Sequence, residues 1–174
     1  RNVTGVQTCA LPIWILSIIQ TLPDNSVVVD AGANIGLVCV PIAQKIAKGG
    51  VVHAFEVQRM LYQALCGTAA LNDLENLYIH NKALGASTGV LKAARLDYNV
   101  KQDFGLLSLV DQDNSSATEE IASITIDSLN LPRLDFLKID VEGMEIEVLR
   151  GAQNAIRMYK PWCWVEYWKV DVKD

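Results

Sequence analysis

Short, nearly continuous apolar runs separate longer stretches in which apolar residues recur every three or four positions. The runs predict strands over 27–30, 51–56, 77–81, 134–140 and 161–166. The periodic stretches predict helices over 14–22, 35–48, 60–72 and 143–159. In the second helix Leu37, Val40, Ile42, Ala43 and Ile46 are the apolar positions, and Gly49-Gly50 stops it. In the last, Ile146, Leu149, Ala152 and Ile156 share one face. Strands and helices alternating at these lengths imply an α/β fold, a doubly wound, mostly parallel sheet with helices on both faces. The run 134–140 is nearly all apolar, as a strand covered on both sides should be.

The alternation breaks after Gly85. Residues 89–96 and 106–110 predict an antiparallel pair around a polar turn, followed by a polar loop over 111–120 and a strand over 121–126. This insertion, about 86–127, is longer than a packing connection requires. It reads equally as a substrate wall and as a surface hairpin.

The chain has 174 residues, 51% hydrophobic and 20% charged, which suits one globular domain with a sizeable core. Its net charge is −5 and no Lys/Arg cluster builds a basic face, which argues against nucleic acid and for a small or neutral substrate. Cys9, Cys39, Cys66 and Cys163 form no C-x-x-C pair, so they read as free thiols in a reducing, cytoplasmic setting. The apolar run 11–22 is too short, and too interrupted by Ser17 and Gln20, to span a membrane. Residues 3–13 resemble a translated sequencing adapter, so 1–13 is expected to be a non-native leader and the domain to run over 14–174.

Candidate chemistry enters at Val27-Val28-Val29-Asp30-Ala31-Gly32-Ala33-Asn34-Ile35-Gly36 and at Ala54-Phe55-Glu56. Each apolar run ends on an acid, and the first then turns through glycines into a helical pattern. This is how a nucleotide-type cofactor is gripped at the carboxyl ends of two parallel strands. Glycines let the backbone approach the ligand, and Glu56 is placed to accept hydrogen bonds from both ribose hydroxyls. The dinucleotide fingerprint needs a glycine where Asn34 stands, and Asp30 sets a carboxylate where a pyrophosphate would lie. A cation carrying an adenosine, such as S-adenosylmethionine, fits better. The alternatives are an NAD(P)-dependent oxidoreductase and a non-catalytic fragment that retains only the fold.

Together with Phe136-Leu137-Lys138-Ile139-Asp140-Val141-Glu142-Gly143-Met144-Glu145 and the following Val148-Leu149 and Gly151-Ala152, these motifs resemble the FkbM family of S-adenosylmethionine-dependent methyltransferases. The resemblance spans about 27–166 and implies the class I, Rossmann-like fold, with O-methylation of a hydroxyl on a sugar or other natural product. It implies Asp30, Gly32, Asn34, Gly36 and Glu56 as cofactor-binding residues, with Ala83 and Leu84 lining the adenine pocket. It also implies acids beside the methyl-transfer position at Asp140 and Glu142, and a further acid at Glu166. Two departures stand out. Val57-Gln58 replaces a usual proline, and the chain stops at Asp174 before the last two strands of the class I sheet. A sheet ending there is expected to leave Trp162, Trp164 and Trp168 short of partners.

Transfer to a hydroxyl needs a base near the methyl group. Glu142 is the preferred base over Asp140 because its turn position gives it more reach; helix capping is the competing role. For Glu145, capping is the preferred role. Lys138, inside an apolar strand, needs a partner and is placed to hold one of the carboxylates, which puts it among the catalytic candidates. An oxygen-ligand metal site of Asp140, Glu142 and Glu166 is the weaker reading, and no metal is expected. His53 and His80 read as structural. Tyr98, Asn99, Lys101 and Ser108 are possible acceptor contacts.

Overall fold

The computed structural model describes residues 13–94 and 118–166. In chain order these form α1 (Ile13–Thr21), β1 (Val27–Ala31), α2 (Cys39–Lys45), β2 (Val51–Phe55), α3 (Arg59–Leu71) and β3 (Leu77–His80). There follow β4 (Ala83–Leu84), β5 (Gly89–Ala94), β6 (Thr118–Ile124), β7 (Phe136–Ile139), α4 (Glu145–Arg150), α5 (Gln153–Tyr159) and β8 (Trp162–Val165). Five of the strands make one parallel sheet in the order β3-β2-β1-β7-β8. The connections run outward from β1 in both directions, so the sheet is doubly wound and its switch point lies between β1 and β7.

Side chains alternate across each strand. Val28, Val52, Leu77 and Phe136 pack on Ile15, Ile42 and Leu65 from α1, α2 and α3. Val29, Phe55, Leu137 and Ile139 face the other way and meet Val148 of α4 and Ala155 of α5. Asp135 aligns the entry of three neighbouring strands. Its carboxylate accepts the Val27 amide at 2.8 Å, its amide donates to the Val27 carbonyl at 2.8 Å, and its carbonyl accepts the Trp162 amide at 2.9 Å.

Three expectations change. The helix expected over 35–48 is confined to Cys39–Lys45, because Asn34 (φ 52°) and Gly36 (φ 96°) hold the preceding turn in left-handed conformations. The helix expected over 143–159 is two helices broken at Gly151 and Ala152. Gly151 lies so close to Gly85 that a Cβ would overlap the Gly85 carbonyl oxygen. Asp127 then starts α5 afresh by accepting the amides of Asn154 and Ala155 at 3.0 and 2.8 Å. Finally, β5 pairs antiparallel with β6, and β6 pairs in parallel with β4, in a separate three-stranded sheet. The strand expected over 106–110 and the contacts expected from Tyr98, Asn99, Lys101 and Ser108 lie outside the described residues, as does Trp168.

His53 of β2 and His80 of β3 are diagonal neighbours on one face, with Nδ1 and Nε2 at 3.3 Å. Burial lowers the pKa of His53, and burial, His53 and Lys82 push that of His80 down to about 4. Between that value and the unfolded value near 6.5, the unfolded chain binds protons that the folded chain refuses, so stability falls as pH drops through the window. His80→Gln should flatten this slope: its loss of unfolding free energy from about pH 7.5 to about pH 5, measured in urea, should be smaller than the parent's. Equal losses would remove the pair from the acid sensitivity of the fold.

Candidate functional site

The carboxyl ends of β1, β2 and β7 converge. Beyond β1 the chain turns through Gly32 (φ 77°), Asn34 and Gly36, and the amides of Gly32 and Ala33 donate to the Phe55 carbonyl at 3.0 and 2.9 Å. A side chain has no room at either glycine. A Cβ on Gly32 would overlap the Asp140 carbonyl oxygen, and one on Gly36 would strike Leu65 and Val40. The turn after β1 is therefore pressed against the turn after β7.

Glu56 sits at the end of β2 and is 5% exposed. One carboxylate oxygen accepts the Asn34 amide at 2.8 Å and the other the Gln58 amide at 2.7 Å. Burial raises its pKa, and those two amides work in the opposite direction. Without a proline after Glu56, the turn is braced by a side chain that the sequence reading missed: the Asn81 amide group donates to the carbonyls of Glu56 and Val57 at 2.8 and 3.0 Å. Ala83 and Leu84 form β4 and are buried, Ala83 beside Ile121 and Leu84 in the cluster of Phe55 and Ile126.

Below the glycine turn lies an ionic cluster. Register sets Lys138 between Asp30 on β1 and Trp164 on β8. Its Nζ is 2.8 Å from the Gly32 carbonyl oxygen, 3.2 Å from Asp30 Oδ1, 3.3 Å from Asp140 Oδ2 and 5.6 Å from the centre of a Trp164 ring. The side chains of Lys138 and Asp30 are 5% and 0% exposed, that of Asp140 30%. Burial opposes the ammonium, but Asp30 and Asp140 overcome it and hold the pKa of Lys138 above its ordinary value. Burial raises the pKa of Asp30, and Lys138 pulls it back. Cys39 packs beneath; burial and the Asp30 charge raise its thiol pKa well above normal, so it stays protonated.

After β7 the chain passes through Glu142 (φ 48°) and Gly143 (φ 98°) before α4. A glutamate in the left-handed region is strained by about 1–2 kcal/mol. Glu145 is buried and its carboxylate accepts the Gly143 amide at 2.9 Å, so it braces the turn that leads into α4. The Glu166 amide donates to the Ile139 carbonyl at 2.9 Å, so this acid also sits at the carboxyl end of the sheet. Trp164, expected to lack partners, packs on the core and over Lys138; nothing in the sequence signals this, since it follows from register. Trp162 is 72% exposed, as expected of the outer strand. Among the described residues, no three His, Cys, Asp or Glu side chains gather as a metal-binding group, and no helix is long and apolar enough to cross a membrane.

The methyltransferase FkbM domain matches residues 30–171. Methyltransferase sdnD of Sordaria araneosa is 29% identical, with 78% of this chain aligned to 64% of that protein. Methyltransferase 1 of Beauveria bassiana (strain ARSEF 2860) is 27% identical, with 78% of this chain aligned to 62% of it. The chain thus spans less than two thirds of either curated relative. Among solved structures, Methyltransferase FkbM from Methylobacillus flagellatus KT superposes with a TM-score of 0.59 at 23% identity, covering 84% of this chain and 34% of that one. At that identity the likeness shows a shared fold.

Proposed function

The chain belongs to the methyltransferase FkbM family, and from that premise we propose that it is an S-adenosylmethionine-dependent methyltransferase acting on a hydroxyl of a sugar or natural-product acceptor. The observation that carries the reading is the charge at the switch point: Asp30 and Asp140 flank the Lys138 ammonium, Glu56 is near enough to feel its charge, and Glu142 lies in the turn that follows Asp140. Such a site favours a cation and repels a pyrophosphate, which speaks against the NAD(P)-dependent alternative. The residues also fit the shape of the cofactor. Gly32 and Gly36 let the turn after β1 fold back in left-handed conformations, held against Asp140, Leu65 and Val40 at the carboxyl end of the sheet. Glu56 uses two of its roughly four acceptor positions on amides and keeps the others for ribose hydroxyls.

When bound, S-adenosylmethionine supplies a methyl group already activated by a sulfonium. The protein's part is alignment, exclusion of water and removal of a proton. Gly32, Asn34 and Gly36 would hold the cofactor's amino-acid portion, and Ala83 and Leu84, both buried, would belong to the apolar wall for its adenine. Glu142 is the general base, receiving the hydroxyl proton on its carboxylate. Asp140, at the strand end 3.3 Å from the Lys138 ammonium, has less reach than Glu142 in the turn beyond it. Strain at Glu142 supports this role, since left-handed non-glycine residues cluster at functional turns. The free thiols Cys39, Cys66 and Cys163 suit a reducing compartment such as the cytoplasm.

Glu56→Ala removes an acceptor from two loop amides and from the ribose. It should weaken S-adenosylhomocysteine binding about ten- to a hundredfold by calorimetry. Undiminished affinity would take Glu56 out of the site. Glu142 separates chemistry from stability: Glu142→Gln should lower S-adenosylhomocysteine release with hydroxylated acceptors about a hundredfold. Glu142→Gly should do the same while relieving the backbone, leaving stability within about 1 kcal/mol of the parent or above it. Full turnover in either variant would make Glu142 a turn residue without catalytic work.

A further inference from the structure

Lys138 has three N–H donors, and three oxygens lie within 3.3 Å of its Nζ: the Gly32 carbonyl, Asp30 Oδ1 and Asp140 Oδ2. Two of these belong to different segments of the candidate site. Gly32 opens the glycine turn, and Asp140 opens the turn that carries Glu142. The same two residues touch directly, since the Gly32 Cα faces the Asp140 carbonyl so closely that no Cβ fits. The Asp140 amide also donates to the Ala31 carbonyl at 3.1 Å. A buried ion pair is seldom worth more to stability than apolar side chains of the same size. What this ammonium supplies that a methionine would not is a tie between two strand ends, because it donates to one backbone oxygen and pairs with one carboxylate across the gap.

We propose that Lys138 is a positioning residue: it fixes the glycine turn and the Asp140–Glu142 turn in one mutual geometry, so that both meet the same S-adenosyl ligand. The inference rests on the cofactor reading given above. Asp30, fully buried on the far side of the ammonium, acts through Lys138 by holding its charge in place. The Trp164 ring closes the remaining side at 5.6 Å.

The test compares Asp30→Asn with the double variant Asp30→Asn/Lys138→Met, using S-adenosylhomocysteine as the probe. Lys138→Met alone would leave Asp30 buried without its cation and is expected to unfold readily. The double variant removes both charges of the buried pair, so it should melt close to Asp30→Asn. At that matched stability it should bind S-adenosylhomocysteine about tenfold more weakly or worse. Its amides at 32–36 should also exchange with solvent faster than those of Asp30→Asn. Equal affinity and equal exchange in the two would overturn the proposal, leaving Lys138 as mere neutralisation of buried charge.

A measurement on the parent does not depend on any variant folding. The ammonium signal of 15N-labelled lysine that contacts the Trp164 ring protons should shift when S-adenosylhomocysteine is added, and a signal that stays fixed while ligand binds would also overturn the proposal. Failure of the parent itself to bind S-adenosylhomocysteine is a separate result, which removes the cofactor reading and Lys138's role with it.

Discussion

An ammonium in the middle of a parallel sheet has to be surrounded by oxygen, and much of the carboxyl end of this sheet follows from that demand. Lys138 lies in a strand whose other residues, Phe136, Leu137 and Ile139, are fully buried. Removing one partner of a buried ion pair costs about 3–5 kcal/mol, a large share of the roughly 5–15 kcal/mol that holds a domain folded. Asp30 must therefore stand opposite on β1, Asp140 must turn back over the end of β7, and the glycine turn must offer a carbonyl. Once these oxygens are in place, the two turns that flank the switch point are joined, and a ligand that meets one of them meets the other.

Glu56 joins the third strand to the same assembly. Its carboxylate spans from Gln58 on its own side to Asn34 in the glycine turn. Three strand ends are thus tied by charged side chains, with Lys138, Asp30 and Glu56 buried, in a core that is otherwise mostly apolar. The acids outnumber the ammonium, which leaves the region receptive to a cationic ligand and poorly matched to a phosphate. Among the described residues, the amino ends of the strands offer nothing comparable. A 350 Å³ depression there, bordered by Gly49, Gly50, Asp73, Asn76 and Tyr78, carries neither a glycine turn aimed at a ligand nor a buried acid.

The sheet was legible in the sequence because buried parallel strands are written as unbroken apolar runs, and Val27-Val28-Val29 and Phe136-Leu137 are such runs. Gly32 and Gly36 were legible as a tight turn because left-handed backbone and absent Cβ atoms select glycine, and both positions have those properties. The start of α2 was not, since Ile35 and Leu37 mimic helical spacing while Asn34 and Gly36 hold the chain out of a helix. The break at Gly151 depends on Gly85, a residue far away in the chain, so periodicity ran straight through it. A partner for Lys138 was expected on the ground of desolvation. Which oxygens it would find, and that Trp164 would cover it, depends on the register of β7 against β1 and β8.

The central claim is that one S-adenosyl ligand engages both turns at the switch point, and amide hydrogen exchange reads this residue by residue. With S-adenosylhomocysteine the account predicts slowed exchange at 32–36 and at 140–143 together, and no such change with NADH. Protection by NADH at the same amides, or protection by S-adenosylhomocysteine confined to the amino-end residues around Gly49, Gly50 and Asp73, would contradict it.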